Sequence, residues 1–174
     1  MAHEHFNGAP TEPSAEERAD LWRKVEHVRM AMLTTHDRSG ALTSRPITTQ
    51  QAEADGVLWF FVPMDGGMAE DLGRDPRLIL TYADLSDNFF VALSGTGQVL
   101  KDRAKAKELW SPLAGAWFPD GVDDPNLALL RVDVDKGEYW DPGSSKMVQM
   151  FAMAKAAITR TPPRNVGEHR EFRS

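Results

Sequence analysis

The feature that most constrains this chain is a change of period at Met30. Before it, Leu21, Val25 and Val28 recur at helical spacing through EERADLWRKVEHV, and Ser14 followed three residues later by Glu17 makes a capping-box pattern. That predicts a first amphipathic helix ending near Val28. After Met30 come MAMLTTH, LTSRPITTQ and VLWFFV, short runs rich in β-branched and aromatic residues, separated by the turn sequences DRSG and EADG. Runs this short suit strands better than helices, and the turns between them predict three antiparallel strands.

The remaining chain continues in the same style. A brief helix over about Met68 to Arg74 stops before Pro76, and RLILTYAD resumes the strand pattern. FFVALSGTGQVLK is long for one strand, and Gly95 and Gly97 within it predict a bulge or a sharp bend at a barrel corner. DRAKAKELW reads as a helix, LALLRVDVD and GEYW as two further strands, and KMVQMFAMAKAAIT as a last helix before Pro162-Pro163. Six or seven short strands with hairpin spacing and three or four helices predict a mainly β, α+β domain: a small closed antiparallel barrel with flanking helices. Residues 1–13 carry little aliphatic bulk and read as a flexible arm, 14–160 as one folded domain and 161–174 as a charged tail.

Composition removes several classes of function. Against 26 Asp plus Glu, the 20 Lys plus Arg are scattered and leave a net charge of -6, which gives a nucleic-acid backbone no positive stripe to bind. With no cysteine there is no disulfide, thiolate metal site or thiol catalysis. No run approaches the ~18 uncharged apolar residues of a membrane helix. The opening MAHEHFNGAPTEP has no hydrophobic stretch of signal-peptide type, which predicts a cytoplasmic location.

Familiar catalytic motifs are absent. Gly95-Thr96-Gly97 is followed by Gln98, Val99 and Leu100 inside a strand pattern, so it is not a dinucleotide fingerprint. Of the histidines in the folded segment, His27 and His36 are too few and too far apart to suggest a metal site. Asp133 and Asp135 share one strand face and read as solvated surface. No residue stands out as a general base.

What remains is Ser44-Arg45-Pro46-Ile47-Thr48-Thr49 on the second strand, Trp59-Phe60-Phe61-Val62 on the third, and Gly66-Gly67-Met68 opening a helix. Taken singly, each has a plain structural reading: a surface cation, an edge proline, a run of core aromatics. Together they suit a planar phosphorylated cofactor. A guanidinium grips phosphate, aromatic faces border a ring, and a Gly-Gly helix start offers free N–H groups to an anion.

The succession of SRPITT, a hairpin ending in WFF, a helix ending LGRDP and a strand with Ser-Gly-x-Gly resembles the flavin-binding split barrel of the pyridoxamine phosphate oxidase superfamily. Within it, ELWSPLAGAWFPDGVDDPNLALLRVDVDKGEYWD is similar to the general stress protein branch, and the likeness covers Ala15 to Trp140. The resemblance implies a homodimer with FMN, or alternatively FAD or another flavin, at the subunit interface. Arg45 would hold the phosphate, the main chain of Ser44, Arg45, Pro46 and Ile47 would meet the polar edge of the ring, and Phe61 with Val62 would border the ribityl chain. Gly67 and Met68 would flank the phosphate. The second subunit would add Ser94 and Gly95, with Trp110, Trp117 or Phe118 against the ring. The oxidases carry a Ser-Arg-Lys triplet where this chain has Gly66-Gly67-Met68, and a lysine where it has Gln50, which leaves Arg45 as the one evident phosphate cation. Nor does RNVGEHREFRS carry the Arg-x-His ending that seats pyridoxal phosphate in the vitamin-forming members. The resemblance therefore implies a stress-type flavoprotein with oxidoreductase chemistry on an unidentified small molecule. The alternatives are a flavin-sequestering module without turnover and a degenerate barrel dimer.

Overall fold

The computed structural model describes residues 14–141 and 168–173. Helix α1 (Ala15–Val28) starts at the capping box, where Ser14 Oγ accepts from the Glu17 N–H at 3.3 Å and Glu17 Oε2 accepts from the Ser14 N–H at 2.8 Å. Its buried side chains are Leu21, Trp22 and Val25. Strands β1 (Met30–His36), β2 (Leu42–Ala52) and β3 (Val57–Pro63) pair antiparallel in the expected order. At the DRSG turn, Asp37 Oδ1 accepts from the main-chain N–H of Ser39 at 2.8 Å and of Ala41 at 3.1 Å, while Gly40 takes a φ of 83°.

There follow α2 (Met68–Arg74), β4 (Arg77–Asp84), β5 (Phe89–Leu100), α3 (Arg103–Leu109), β6 (Leu127–Asp141) and β7 (Glu168–Arg173). Sheet order is β3-β2-β1-β4-β5-β6-β7, and an additional β3–β6 pairing closes the first six strands into an antiparallel barrel. With its helices this is the α+β antiparallel barrel that the strand spacing predicted, in the split form that the family resemblance implied.

One strand differs from expectation. LALLRVDVD and GEYW form a single strand of 15 residues, β6, not two. Asp135-Lys136-Gly137 has the composition of a tight turn, but the register with β5 steps from Gly95↔Val134 to Ser94↔Lys136, so Asp135 is an extra residue absorbed as a bulge. The first half of β6 pairs with β3, and its second half pairs with β7. Strand β7 lies within the segment read as a charged tail. The helix expected over KMVQMFAMAKAAIT lies outside the described residues.

Leu33, Leu58, Phe60, Leu80, Leu93, Leu130 and Val132 fill the barrel and are fully buried, each contributing about 1.5–3 kcal/mol relative to exposure. Residues Leu21, Trp22 and Val25 of α1 and Met68 and Leu72 of α2 join the same cluster. A second cluster joins Ala106 of α3 and Phe118 to Leu127 and Leu129, with Trp59, Phe61 and Trp110 packed against it. That second cluster supports the candidate site.

Candidate functional site at the barrel seam

Pairing between β2 and β3 covers only Thr49↔Phe60 to Ala52↔Leu58, with an irregularity between Thr49 and Gln51. Leu42–Thr48 pairs with β1 alone, and Phe61–Pro63 pairs with β6. The barrel is therefore open between these two stretches. Thr49 N–H donates to the Arg29 carbonyl at 2.8 Å, and the alternation of an antiparallel ladder then turns the main chain of Ser44, Pro46 and Thr48 away from β1 and towards the opening. Pro46 lacks an N–H where no ladder bond is asked of it.

A cavity of about 370 Å³ occupies this seam. Pro46, Ile47, Thr48 and Gln50 line it from β2, Phe61 and Pro63 from β3, and Met30 from β1. The far wall is Ser111, Leu113, Ala114, Trp117 and Phe118, with Asn126 at the base. A 3-10 turn at Ala114–Ala116, held by Trp117 and Phe118 N–H groups donating to the Ala114 carbonyl at 3.0 and 3.1 Å, sets the two aromatics apart. Phe118 is buried at 5% exposure, whereas Trp117 is 82% exposed. Phe61 is met edge-on by Trp110 at 5.7 Å and by Phe118 at 6.3 Å between ring centroids.

Polar contacts hold the surround in place. Lys105 Nζ of α3 donates to Gln51 Oε1 at 2.7 Å and to Glu53 Oε1 at 3.2 Å, and sits 5.2 Å from the Trp59 ring centre. Glu53 Oε1 also accepts from Trp59 Nε1 at 2.8 Å. Asn126 Nδ2 donates to Asp65 Oδ1 at 3.0 Å, and its Oδ1 accepts from the Asp65 N–H at 3.1 Å, which pins the loop after β3.

Among the described residues that line the seam cavity, none is ionisable. The nearest cation in sequence is Arg45, half-buried on β2, whose Nη2 donates to Thr43 Oγ1 at 3.3 Å and which meets no carboxylate among the described residues.

Of the residues singled out in the sequence, the cavity collects Pro46, Ile47, Phe61, Trp117 and Phe118. Ser44 and Arg45 adjoin it on β2, and Trp110 stands behind Phe61. The Val62 side chain is instead buried inside the barrel at 2% exposure, and Met68 joins the barrel core at 6%. Gly67 caps α2 with a φ of 75°. Ser94 and Gly95 line a different cavity of about 320 Å³, together with Thr34, His36, Leu42, Arg77, Leu78, Ile79 and Asp135. Within one chain the two groups are separate. The residues not singled out include Met30, Ser111, Leu113 and Asn126. Met30 reaches the site through a cross-strand register that no local pattern encodes, and Asn126 has the look of a loop residue in DDPNL.

Beside the second cavity, Arg77 grips Asp75 through Nε at 2.8 Å and Nη2 at 2.6 Å, and these charge-assisted bonds hold the Asp75 carboxyl well below the usual carboxylate range. His36 Nδ1 lies 3.3 Å from Asp75 Oδ2, shielded from solvent and outside hydrogen-bond geometry.

A six-stranded antiparallel barrel left open between β2 and β3 is a split barrel. Residues 16–164 match the family model described as pyridoxamine 5'-phosphate oxidase like, and the chain belongs to that family. It is similar to the crystal structure of the general stress FMN/FAD binding protein from Xanthomonas citri, with 32% identity, a TM-score of 0.67 and coverage of 77% of this chain and 94% of that one. A structure from Jannaschia sp. CCS1 assigned to general stress protein 26 is 26% identical, with a TM-score of 0.76, covering 92% of this chain and 100% of that one. Protein bli-3 of Neurospora crassa is 25% identical over 153 residues, which is 82% of this chain and 73% of that protein. Among the described residues no helix is long and apolar enough to cross a membrane, and no group of three His, Cys, Asp or Glu side chains could hold a metal ion.

Proposed function

We propose that this chain is a general-stress-type flavoprotein that holds FMN, or a related flavin, in the seam cavity and works as a homodimer. The observation that carries the reading is the open edge of β2 facing Phe61, Trp117 and Phe118 across one cavity. A flat heteroaromatic ring fits such a site. Apolar and aromatic walls take its faces, and the main-chain groups of Ser44 and Pro46 that β1 leaves unpaired, with the Thr48 N–H, take its polar edge, the Thr48 carbonyl already accepting from Gln50 Nε2 at 3.0 Å. The side chains of Thr48, Gln50 and Ser111 supply further donors and acceptors. Arg45, free of any carboxylate partner among the described residues, is the cation for a phosphate. The 32% identity to a protein described as FMN/FAD binding supports the same ligand class.

A homodimer is supported by the apolar surface around the seam. Met30 and Met32 on β1 and Leu113 and Trp117 on the far wall are exposed at 54%, 42%, 64% and 82%. Large apolar side chains grouped in this way mark an interaction face. A flavin bound here supplies two-electron redox chemistry, and the chain's own residues orient the ring and exclude water from it.

A second reading has its own observation. With no ionisable residue among the described residues of its lining, this part of the seam offers no acidic proton donor, which favours a module that stores flavin without turnover. Mixing with NADPH in a stopped-flow spectrometer separates the two, because only an oxidoreductase bleaches the bound flavin and recolours it with an acceptor. Sedimentation followed at the flavin's visible absorbance tests the shared claim. Flavin should travel with a species of twice the 19.4 kDa chain mass. Flavin left behind in the free fraction, or a monomeric boundary, would defeat it.

A further inference from the structure

Ser94 and Gly95 lie apart from the seam, in the cavity over the β5–β6 bulge, and the chemistry of that cavity is of another kind. Its floor and one side are the apolar Leu42, Leu78 and Ile79. Its polar rim is His36, Ser94 and the bulged Asp135. The charges are unequal. The guanidinium of Arg77 is committed to Asp75 by two short bonds, so that pair is internally neutral. Asp135 has no hydrogen-bond or ion-pair partner among the described residues. His36 lines the cavity while its Nδ1 is shielded from solvent, 3.3 Å from Asp75 Oδ2. Among the described residues, what remains unmatched is one carboxylate beside an apolar floor.

We infer that this cavity is a second binding site, distinct from the seam, for a small organic cation: an ammonium group carried on an aromatic or branched apolar body. The ammonium sits on Asp135, where it gains a charge-assisted bond that the bulge leaves unclaimed. The apolar body lies on Leu42, Leu78 and Ile79, and the space of about 320 Å³ limits the ligand to roughly one ring and its side arm. The His36 ring and the Ser94 hydroxyl accept the remaining ammonium hydrogens. Gly95 lets β5 approach the β6 backbone at the bulge that carries Asp135, where a Cβ would meet the Asp133 carbonyl oxygen at 2.1 Å.

Benzylamine, benzyl alcohol and benzoate, of one shape and three charges, are the probes. Titrated into the full-length protein, with and without saturating FMN, benzylamine should shift the His36 ring proton resonances saturably and independently of flavin. The alcohol and benzoate should bind at least about tenfold more weakly, as should benzylamine to Asp135→Asn, since losing a charge-assisted bond costs about that much. Ser94→Ala should weaken it less and gives a second, milder variant. Equal binding of benzoate, an unchanged affinity in Asp135→Asn, or no saturable benzylamine shift at His36 each overturns the assignment. Since the flavin arm is read separately, failure here leaves the seam reading standing.

Discussion

A Cβ added at Gly95 would lie 2.1 Å from the main-chain oxygen of Asp133. The two strands meet there at the bulge, and only a residue without a side chain allows the approach. Gly95→Ala must therefore push backbone against backbone, which flexible side chains cannot relieve. We expect a loss of about 3 kcal/mol or more of unfolding free energy, at the upper end of overpacking effects. Urea denaturation followed by tryptophan fluorescence measures it, and an unchanged midpoint would contradict the bulge geometry.

Thr49 and Tyr82 share a buried hydrogen bond of 2.8 Å inside the barrel, and both residues are about 2% exposed. Tyr82→Phe leaves the Thr49 hydroxyl unpaired and should cost about 1–3 kcal/mol, while adding Thr49→Val removes the orphan and should recover part of that loss. A double-mutant cycle that shows strict additivity would deny the bond.

The same tyrosine sets an alkaline limit. Burial pushes the Tyr82 phenol above its ordinary value, with the Thr49 bond opposing weakly. A folded-state pKa above the unfolded one contributes stability that is fully present below about pH 10 and is lost as the pH rises beyond it. Thermal unfolding should thus occur at falling temperature above about pH 10, and Tyr82→Phe should flatten that decline. An identical alkaline decline in the variant would assign it elsewhere.

Trp117 is the exposed wall of the seam, and its indole touches little in the free chain. Replacing it with alanine should leave stability within about 0.5 kcal/mol, as for most surface substitutions. The same change should weaken flavin binding several-fold, because an aromatic face is lost from the cavity. Parallel melting and flavin titration separate the two effects. A large drop in stability without a change in flavin affinity would make Trp117 a packing residue only.

Local signals carried much of this architecture. The capping box at Ser14 and Glu17, the Asp37 turn and Pro46 at a free strand edge each follow from short-range chemistry, and so does the glycine-marked bulge at Gly95. Non-local geometry explains what was missed. Asp135-Lys136-Gly137 imitates a turn, and only the partner strand β5 shows that β6 runs straight through it. Met68 follows two glycines at a helix start and looks available to a ligand, yet its apolar side chain is drawn into the barrel core. Ser94, which the resemblance brings from a second subunit, lines a different cavity from Pro46 within one chain. Of the site itself, Phe61 was readable in the aromatic run Trp59-Phe60-Phe61, while Trp117 and Phe118 were implied by the family resemblance. Its small and polar lining was not.

The central claim is that the seam holds a flavin through β2 and its aromatics, with Arg45 on the phosphate. Quenching of FMN fluorescence by the purified protein tests it most directly, with Arg45→Ala as the companion. Wild type should quench saturably at roughly tens of micromolar or below, and Arg45→Ala should need about tenfold more protein, the loss expected for one charge-assisted contact. No quenching by the wild type, or a variant curve that overlays it, would contradict the account.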